Sequence, residues 1–188
     1  MGSSALDSAL GRGGIAVIPT DTIYGIVTKA QDRKAVLRLH RIRRKTPQKP
    51  FIVLIDAIDR LREFGITLTS GQKAFLKKVW PGKVSVILAC NQKKLAYLHL
   101  KTNTLAFRLP KSKKLLELLQ KTGPLVAPSA NPEGKKPAQT IVEAKKYFGD
   151  AVDVYVNAGR KESKPSTLVS LLEAEPKVLR EGAVKIDV

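Results

Sequence analysis

The sequence has little of several features that commonly carry function. Cys90 is its one cysteine, which excludes an internal disulfide and a cysteine-based zinc site and favours the cytosol. Aromatic residues make up 5% of the chain, and none interleaves with arginine as in base-stacking RNA-binding modules. No apolar run approaches membrane-spanning length, and the first residues hold no apolar signal-peptide core. We therefore expect a cytoplasmic protein that does not enter a membrane.

The common nucleotide-binding and hydrolase signatures are absent as well. The sequence contains no Walker A motif, no GxGxxG and no GxSxG, so any phosphate chemistry has to proceed without a P-loop. The two histidines, His40 and His99, are far apart and lack metal-ligand spacing. We expect His40 on a helix surface and His99 in a strand or loop, and we expect no metal ligands from the protein.

Negative charge is scarce relative to positive charge. The chain has 34 Lys and Arg residues against 16 Asp and Glu residues, a net charge of +18 at pH 7. Such an excess favours anionic partners such as nucleotides, RNA or acidic lipid surfaces. Solubility is the alternative explanation, and charge by itself does not choose between them.

Short apolar runs alternate with segments of helical period along the chain. Predicted helices cover 32–43, 70–80, 112–121 and 140–148, and predicted strands cover 51–55, 84–89, 104–109, 125–127, 152–156, 167–171 and 177–179. This alternation predicts an α/β fold with a partly parallel sheet. The 188 residues suit one domain. We expect residues 1–12 to be a poorly ordered N-terminal segment and residues 13–188 to be the domain.

The most informative segment is residues 15–25, IAVIPTDTIYG. An apolar, β-branched run ends at Pro19, and small polar side chains follow before a Tyr-Gly pair. A buried strand therefore ends in a tight turn that presents hydroxyls, a carboxylate and a phenol. Ligands collect at such strand ends in open α/β sheets.

Small hydroxyl or amide side chains follow a strand or a proline at three places. Each place, taken singly, is more often an ordinary turn or cap. Three of them beside so much positive charge predict a shared nucleotide pocket, because hydroxyls and free N–H groups cradle anions. The three pairs are Thr20 and Thr22, Ser129 and Asn131, and Ser166 and Thr167.

Arginine and lysine side chains complete the candidate site. Arg108 lies inside the apolar run 105–110, and a guanidinium on a half-buried strand needs an anionic partner. The basic loop 41–50, RIRRKTPQKP, follows a helix. Its cations form either a solvated helix cap or a clamp for a triphosphate and its leaving pyrophosphate. Arg180 is a weaker candidate, since Glu181 next to it is an available partner.

Seven segments, in order along the chain, resemble signatures of the YrdC family, and the resemblance covers residues 13–182. They are residues 19–25 (PTDTIYG), 49–51 (KPF), 80–82 (WPG), 106–110 (AFRLP), 129–131 (SAN), 165–167 (PST) and 179–182 (LREG). Each segment is weak by itself, whereas seven in order are specific. Because the chain stops soon after residue 182, we expect the short, single-domain type.

The resemblance implies a twisted mixed α/β sheet flanked by helices, with a large basic cavity on one face. It implies an L-threonylcarbamoyladenylate synthase, a nucleotidyltransferase that forms threonylcarbamoyl-AMP and pyrophosphate from L-threonine, bicarbonate and ATP. The product serves the threonylcarbamoyladenosine (t6A) modification of tRNA. The implied partners are therefore tRNA or double-stranded RNA and the downstream t6A transfer proteins. Mg²⁺ is expected to arrive with ATP.

The resemblance also implies roles for individual residues, carried over by motif. Thr22, Arg108 and Ser166 match the threonine-binding positions, with Arg108 on the carboxylate. The residues that match the ATP-binding positions are Arg43, Lys45, Lys49, Thr104, Ser129, Asn131 and Arg180.

The basic loop departs from the family pattern. The family's Lys-x-Arg reads Arg43-Arg44-Lys45 here, and Glu133 stands where the family typically has serine. Arginine and lysine differ in fork geometry, so the inversion bears on affinity and rate. Two alternatives stay open. One is a YciO-like paralogue, a branch that lacks Lys-x-Arg but also lacks the Ser-x-Asn present here at 129–131. The other is a non-catalytic RNA-binding protein that uses the basic cavity.

Overall fold

The computed structural model describes residues 2–43 and 50–186. Its α-helices are α1 (Gly2–Gly11), α2 (Arg33–Ile42), α3 (Ser70–Val79), α4 (Ala96–His99), α5 (Lys113–Thr122) and α6 (Ile141–Phe148). Its strands are β1 (Ala16–Pro19), β2 (Tyr24–Lys29), β3 (Ile52–Leu54), β4 (Val84–Ala89), β5 (Thr104–Arg108), β6 (Leu125–Val126), β7 (Val154–Tyr155), β8 (Thr167–Ser170) and β9 (Lys177–Arg180). Short 3₁₀ helices cover Ile58–Phe64, Lys93–Leu95 and Gly149–Ala151.

The strands form one mixed sheet in the order β7-β1-β2-β6-β3-β5-β4-β8-β9. Three pairs are parallel, namely β1 with β7, β3 with β5, and β4 with β8. The other five pairs are antiparallel. The predicted α/β fold with a partly parallel sheet is therefore confirmed.

Side-chain alternation along the strands separates the main core from the opposite face of the sheet. Val53 in β3 and Phe107 in β5 are fully buried in the main core. Their neighbours Ile52 and Ala106 point to the opposite face, because successive side chains of a strand alternate. Ile52 and Ala106 line an open cavity there.

Helices α1 and α5 cover another part of that opposite face. A second apolar cluster lies beneath them, and it includes Leu10 and Leu119 from the helices and Ile18 and Leu125 from the strands. The covered part holds β1, β2, β6 and Leu54 of β3, whereas the cavity lies over Ile52 of β3 and over β5, β4, β8 and β9. One face of the sheet thus provides both a packed layer and a site.

The N-terminal segment differs from the expectation of little order. Its residues form α1, which contacts α5, β1, β2 and β7. Leu6 and Leu10 are both buried in the second cluster. They are four residues apart, which puts them on one helix face. Only these two large apolar side chains mark that face, and two residues are too few to show a helical period in the sequence. Leu6 and Leu10 thus pack α1 against the second cluster.

Three local details also differ from the expectation. The Tyr-Gly pair, expected in a turn, begins β2, whose side chains are buried on both faces and so show no alternation. Helix α3, predicted to begin at residue 70, is capped by the preceding Thr69: Thr69 Oγ1 accepts from Gln72 N at 3.2 Å, and Gln72 Oε1 accepts from Thr69 N at 3.0 Å. Helix α4 has four residues, too few to leave a periodic signal.

Candidate active site

The turn between β1 and β2 is held by its own threonine hydroxyls. Thr20 Oγ1 donates to the carbonyl of Ile23 at 2.7 Å and accepts from the amide of Thr22 at 3.2 Å. The Oγ1 atoms of Thr20 and Thr22 lie 3.1 Å apart. Both threonines are buried, so the turn enters the site already ordered by local hydrogen bonds.

Arg108 ends β5 and meets that turn. Its Nη1 donates to Thr22 Oγ1 at 3.3 Å, and its Nη2 lies 3.1 Å from Asp21 Oδ1. Burial lowers the pKa of Arg108 because the guanidinium loses hydration, and the negative charge of Asp21 opposes this shift. Arg108 Nε is enclosed and has no hydrogen-bond partner among the described residues, so the guanidinium has an unused donor.

Asp21 supplies the carboxylate expected in this turn, but the sequence-based prediction gave it no role. Its side chain is 8% exposed, and its contact with Arg108 is a charge contact, since neither carboxylate oxygen accepts a well-aligned hydrogen bond within the described residues. A signal was available, because Asp21 is the one charged residue in the segment 15–28. A lone carboxylate directly after a buried strand and a lone guanidinium inside an apolar run indicate a buried ion pair.

Ser166 is held from three directions. Its Oγ lies 2.8 Å from Ser85 Oγ, and its carbonyl accepts from Arg180 Nη2 at 2.8 Å. Gly182 packs so closely on this segment that a Cβ there would lie 2.2 Å from the carbonyl oxygen of Pro165. Ser166 is therefore fixed in both its backbone and its side chain, and it is 2% exposed.

Thr22, Arg108 and Ser166 line one small cavity of about 80 Å³, to which Ser129 and Arg180 also contribute. The three residues come from the β1–β2 turn, the end of β5 and the residue before β8. The structure thus brings together the three positions that the sequence-based prediction assigned to threonine.

A larger cavity of about 620 Å³ adjoins the small one. The two cavities share Ile52, Pro128, Ser129 and Arg180 as walls. Four of the residues predicted to bind ATP line the larger cavity, namely Arg43, Thr104, Ser129 and Arg180. Partial burial lowers the pKa of Arg180, so its charge is held at the junction of the two cavities with less hydration than in free solution.

Arg43 bounds the larger cavity just after the C-terminus of α2. Its Nε donates to the carbonyl of Asn131 at 2.9 Å, and its guanidinium carbon lies 5.6 Å from the centroid of the Phe51 ring. Burial lowers the pKa of Arg43 to about 10, against the smaller opposing effect of Glu133. An anionic ligand in this cavity would replace the lost hydration.

The remaining three predicted ATP-binding residues are Lys45, Lys49 and Asn131. Lys45 and Lys49 lie outside the described residues, and their roles stay predictions. Asn131 is not among the described residues that line either cavity. Its Nδ2 donates to the carbonyls of Pro132 at 2.9 Å and Lys135 at 2.8 Å, so it shapes its own loop and presents its carbonyl to Arg43.

The histidines lie elsewhere than expected. His40 is buried, not on the helix surface, because α2 packs its C-terminal end against Phe51. The two rings are stacked with centroids 4.1 Å apart. His99 is buried at the end of the short helix α4. Cys90 is a buried core residue: its thiol donates to the carbonyl of Phe64 at 3.4 Å, and burial raises the pKa of the thiol.

Within residues 2–43 and 50–186, no group of three or more His, Cys, Asp or Glu side chains is arranged to hold a metal ion. None of the helices in that part of the chain is long and apolar enough to cross a membrane.

Comparison with known sequences gives one family. The model of the Sua5/YciO/YrdC family, described as "Telomere recombination", matches residues 8–182. A relative from Thiobacillus denitrificans, named threonylcarbamoyl-AMP synthase, is 30% identical over 176 residues, which cover 93% of this chain and 93% of that protein.

Comparison with solved structures gives the same fold. E. coli YciO matches with a TM-score of 0.85 and 25% identity over 96% of this chain and 88% of that one. P. abyssi Sua5 complexed with L-threonine matches with a TM-score of 0.87 and 24% identity over 94% of this chain. This chain spans about half of that protein, 53%. The predicted family and twisted mixed sheet are confirmed, and the chain belongs to the Sua5/YciO/YrdC family.

Proposed function

We propose that this protein is a threonylcarbamoyl-AMP synthase, a nucleotidyltransferase that joins L-threonine, bicarbonate and ATP. The observation that carries the proposal is the convergence of Thr22, Arg108 and Ser166 on a cavity of about 80 Å³ beside one of about 620 Å³. A small amino acid and a nucleotide suit two such adjoining compartments. The name of the relative from Thiobacillus denitrificans supports the same activity.

Arg108 is the residue that we assign to the threonine carboxylate. Its guanidinium is 4% exposed, and a charge pair formed there is screened far less than at the surface. Arg108 Nε keeps an unused donor within the described residues. Thr22 and Ser166 add hydroxyls on the same cavity wall, and these match the remaining polar groups of a hydroxy amino acid.

The larger cavity offers both parts of a nucleotide site. Arg43 and Arg180 bring positive charge to its wall, which suits phosphates, and Thr104 and Ser129 add hydroxyls. Apolar side chains from three neighbouring strands line the rest, and they suit the flat face of a purine base. These are Ile87, Ala106 and Leu168.

In the proposed reaction the threonine nitrogen attacks the carbon of bicarbonate and water leaves. An oxygen of the resulting carbamate then attacks the α-phosphorus of ATP, and the bond to pyrophosphate breaks. The reaction needs no protein nucleophile. The side chains act by holding the reactants close together and by neutralising charge on the leaving pyrophosphate.

Mg²⁺ enters this proposal as part of the ATP substrate. The described residues contain no acidic or histidine cluster suited to a metal, so phosphate oxygens and water are the ligands that the proposal assigns to the ion. The ion neutralises phosphate charge when it is bound, and Arg43 and Arg180 act beside it.

The test is incubation of the protein with ATP, L-threonine and bicarbonate, followed by mass-spectrometric detection of threonylcarbamoyl-AMP and measurement of pyrophosphate. We expect product only when all three substrates are present. Thr22→Val keeps the shape of the side chain and removes the hydroxyl that accepts from Arg108. We expect it to raise the threonine KM at least about tenfold, since a hydrogen bond to a charged group contributes about 1.5–3 kcal/mol. Folded wild-type protein that forms no product would contradict the proposal.

A YciO-like paralogue is the second candidate, favoured by the likeness to E. coli YciO at a TM-score of 0.85. Such a protein would bind an adenylate without making it. The same incubation separates the two functions, because the paralogue predicts nucleotide binding by calorimetry with no product that depends on threonine and bicarbonate.

Partners beyond the substrates stay predictions, as does a cytoplasmic location. They are tRNA or double-stranded RNA and the downstream t6A transfer proteins. A non-catalytic RNA-binding protein would bind RNA with a steep loss of affinity as salt rises, and threonine would not change its thermal stability.

A further inference from the structure

Ser85 is a fully buried hydroxyl in the otherwise apolar strand β4. Its Oγ lies 2.8 Å from Ser166 Oγ, and this is its one side-chain hydrogen bond among the described residues. Ser85 shares its sheet face with Ile87, which lines the larger cavity. Burial of a hydroxyl is unfavourable unless the group is hydrogen-bonded, so the contact with Ser166 accounts for a serine at this position.

The two hydroxyl protons determine which serine donates in the hydrogen bond between Ser85 and Ser166. Two hydroxyls joined by one hydrogen bond carry two protons, so one proton points elsewhere. Ser85 is enclosed, whereas Ser166 lines the cavity of about 80 Å³. If Ser85 donates to Ser166, the Ser166 proton points into the cavity. In this arrangement every enclosed hydroxyl proton has a hydrogen-bond partner.

The other contacts of Ser166 leave only its hydroxyl free to turn. Its carbonyl accepts from Arg180, and Gly182 packs against its backbone. Rotation of the Ser166 hydroxyl is therefore the remaining freedom at this position, and Ser85 restricts it.

We propose that Ser85 is a positioning residue of the threonine site: it donates to Ser166 and thereby presents the Ser166 hydroxyl as a donor to a carboxylate or carbamate oxygen of the bound amino acid. Ser85 does not touch the substrate. The inference rests on the proposed function, because it takes the small cavity to be the threonine site.

The experiment is calorimetric titration of L-threonine into the wild type, Ser85→Ala, Ser166→Ala and the double variant. We expect Ser85→Ala to weaken threonine binding about fivefold, which corresponds to the loss of one ordinary hydrogen bond. ATP binding should weaken less than about twofold. In the Ser166→Ala background, Ser85→Ala should have no further effect, because its action passes through Ser166.

A matched control is Thr28→Val. Thr28 is also fully buried, and its hydroxyl donates to the carbonyl of Gly14 at 2.8 Å. It does not belong to the described walls of either site cavity. Thr28→Val should leave threonine affinity unchanged, which separates loss of a buried hydroxyl in general from loss of this one.

Unchanged threonine affinity in folded Ser85→Ala would overturn the inference, and so would additive effects of the two alanine variants. If Ser85→Ala does not fold, Ser85→Cys keeps a similar size with a weaker donor. An affinity equal to the wild type in Ser85→Cys would then overturn the inference, and a reduced affinity would support it. A wild type that binds no threonine would instead contradict the proposed function, and the inference with it.

Discussion

Arg108 and Asp21 are opposite charges that meet where water is largely excluded. Arg108 is 4% exposed and the Asp21 side chain 8%, and their nearest polar atoms are 3.1 Å apart. Neither carboxylate oxygen is well hydrogen-bonded within the described residues. A pair of this kind adds little to stability while it is intact, but removal of one partner leaves an uncompensated buried charge. Its presence is better explained by ligand binding than by folding.

For this reason, Arg108→Ala should affect stability as well as binding. We expect the free energy of unfolding to fall by about 3–5 kcal/mol, because Asp21 loses its partner, and threonine binding to be lost. Adding Asp21→Asn should restore part of the stability and none of the binding. Denaturant unfolding and calorimetry with threonine measure the two effects. A double variant no more stable than Arg108→Ala would show that the ion pair is not the cause.

The buried charge of Arg43 likewise lowers stability while it suits the binding of an anionic ligand. The folded protein lowers the pKa of Arg43 to about 10, so below that pH its charge opposes folding. Stability from this group is gained only as pH rises from about 10 towards the higher pKa that arginine has in the unfolded chain.

At pH 7 we therefore expect Arg43→Met to raise the free energy of unfolding by about 1 kcal/mol, because relief of desolvation exceeds the loss of one hydrogen bond to Asn131. ATP affinity should fall at least about tenfold, since a charge-assisted contact is lost. Urea unfolding and ATP titration test both expectations. A loss of stability would show that the buried guanidinium contributes to the fold.

Among the secondary-structure elements, strand ends build the small cavity. The β1–β2 turn, the end of β5 and the start of β8 each contribute one of its functional side chains. The turn at 20–22 was recognisable because it interrupts an apolar run, and Ser166 because it follows a proline at the start of a strand. The final segment, residues 180–184, adds a support that local pattern does not reveal, since it packs on the backbone beside Ser166.

Gly182 tests the importance of that support. A Cβ at this position would lie 2.5 Å from the carbonyl carbon of Ser166, so Gly182→Ala must displace one of the two segments. We expect a loss of about 1–3 kcal/mol in unfolding free energy and a larger rise in the threonine KM than in the ATP KM. Gly11→Ala is the control, because a Cβ there meets nothing within 4 Å. Equal effects of the two substitutions would contradict a special role for Gly182.

The whole molecule carries a net charge of +18, and like charges repel in the compact state. Raising the salt concentration from about 0.01 M to 0.15 M shortens the screening length from about 30 Å to 8 Å. We expect the Tm to rise over this range and ATP affinity to fall, because salt weakens both the repulsion and the attraction to phosphates. Differential scanning calorimetry and ATP titration measure the two trends. A Tm that falls with salt would contradict the role of repulsion.

The sequence by itself determined the α/β class, the family and most of the cavity-lining candidates, because strand-end hydroxyls at Thr22 and Ser166 and a lone guanidinium at Arg108 are local signals. Tertiary structure alone decided which residues support them. Asp21 contacts Arg108, Ser85 contacts Ser166, Asn131 forms hydrogen bonds within its own loop, and His40 stacks on Phe51. The physical reason is that composition and periodicity describe neighbours along the chain, whereas strand order and register set which distant side chains meet.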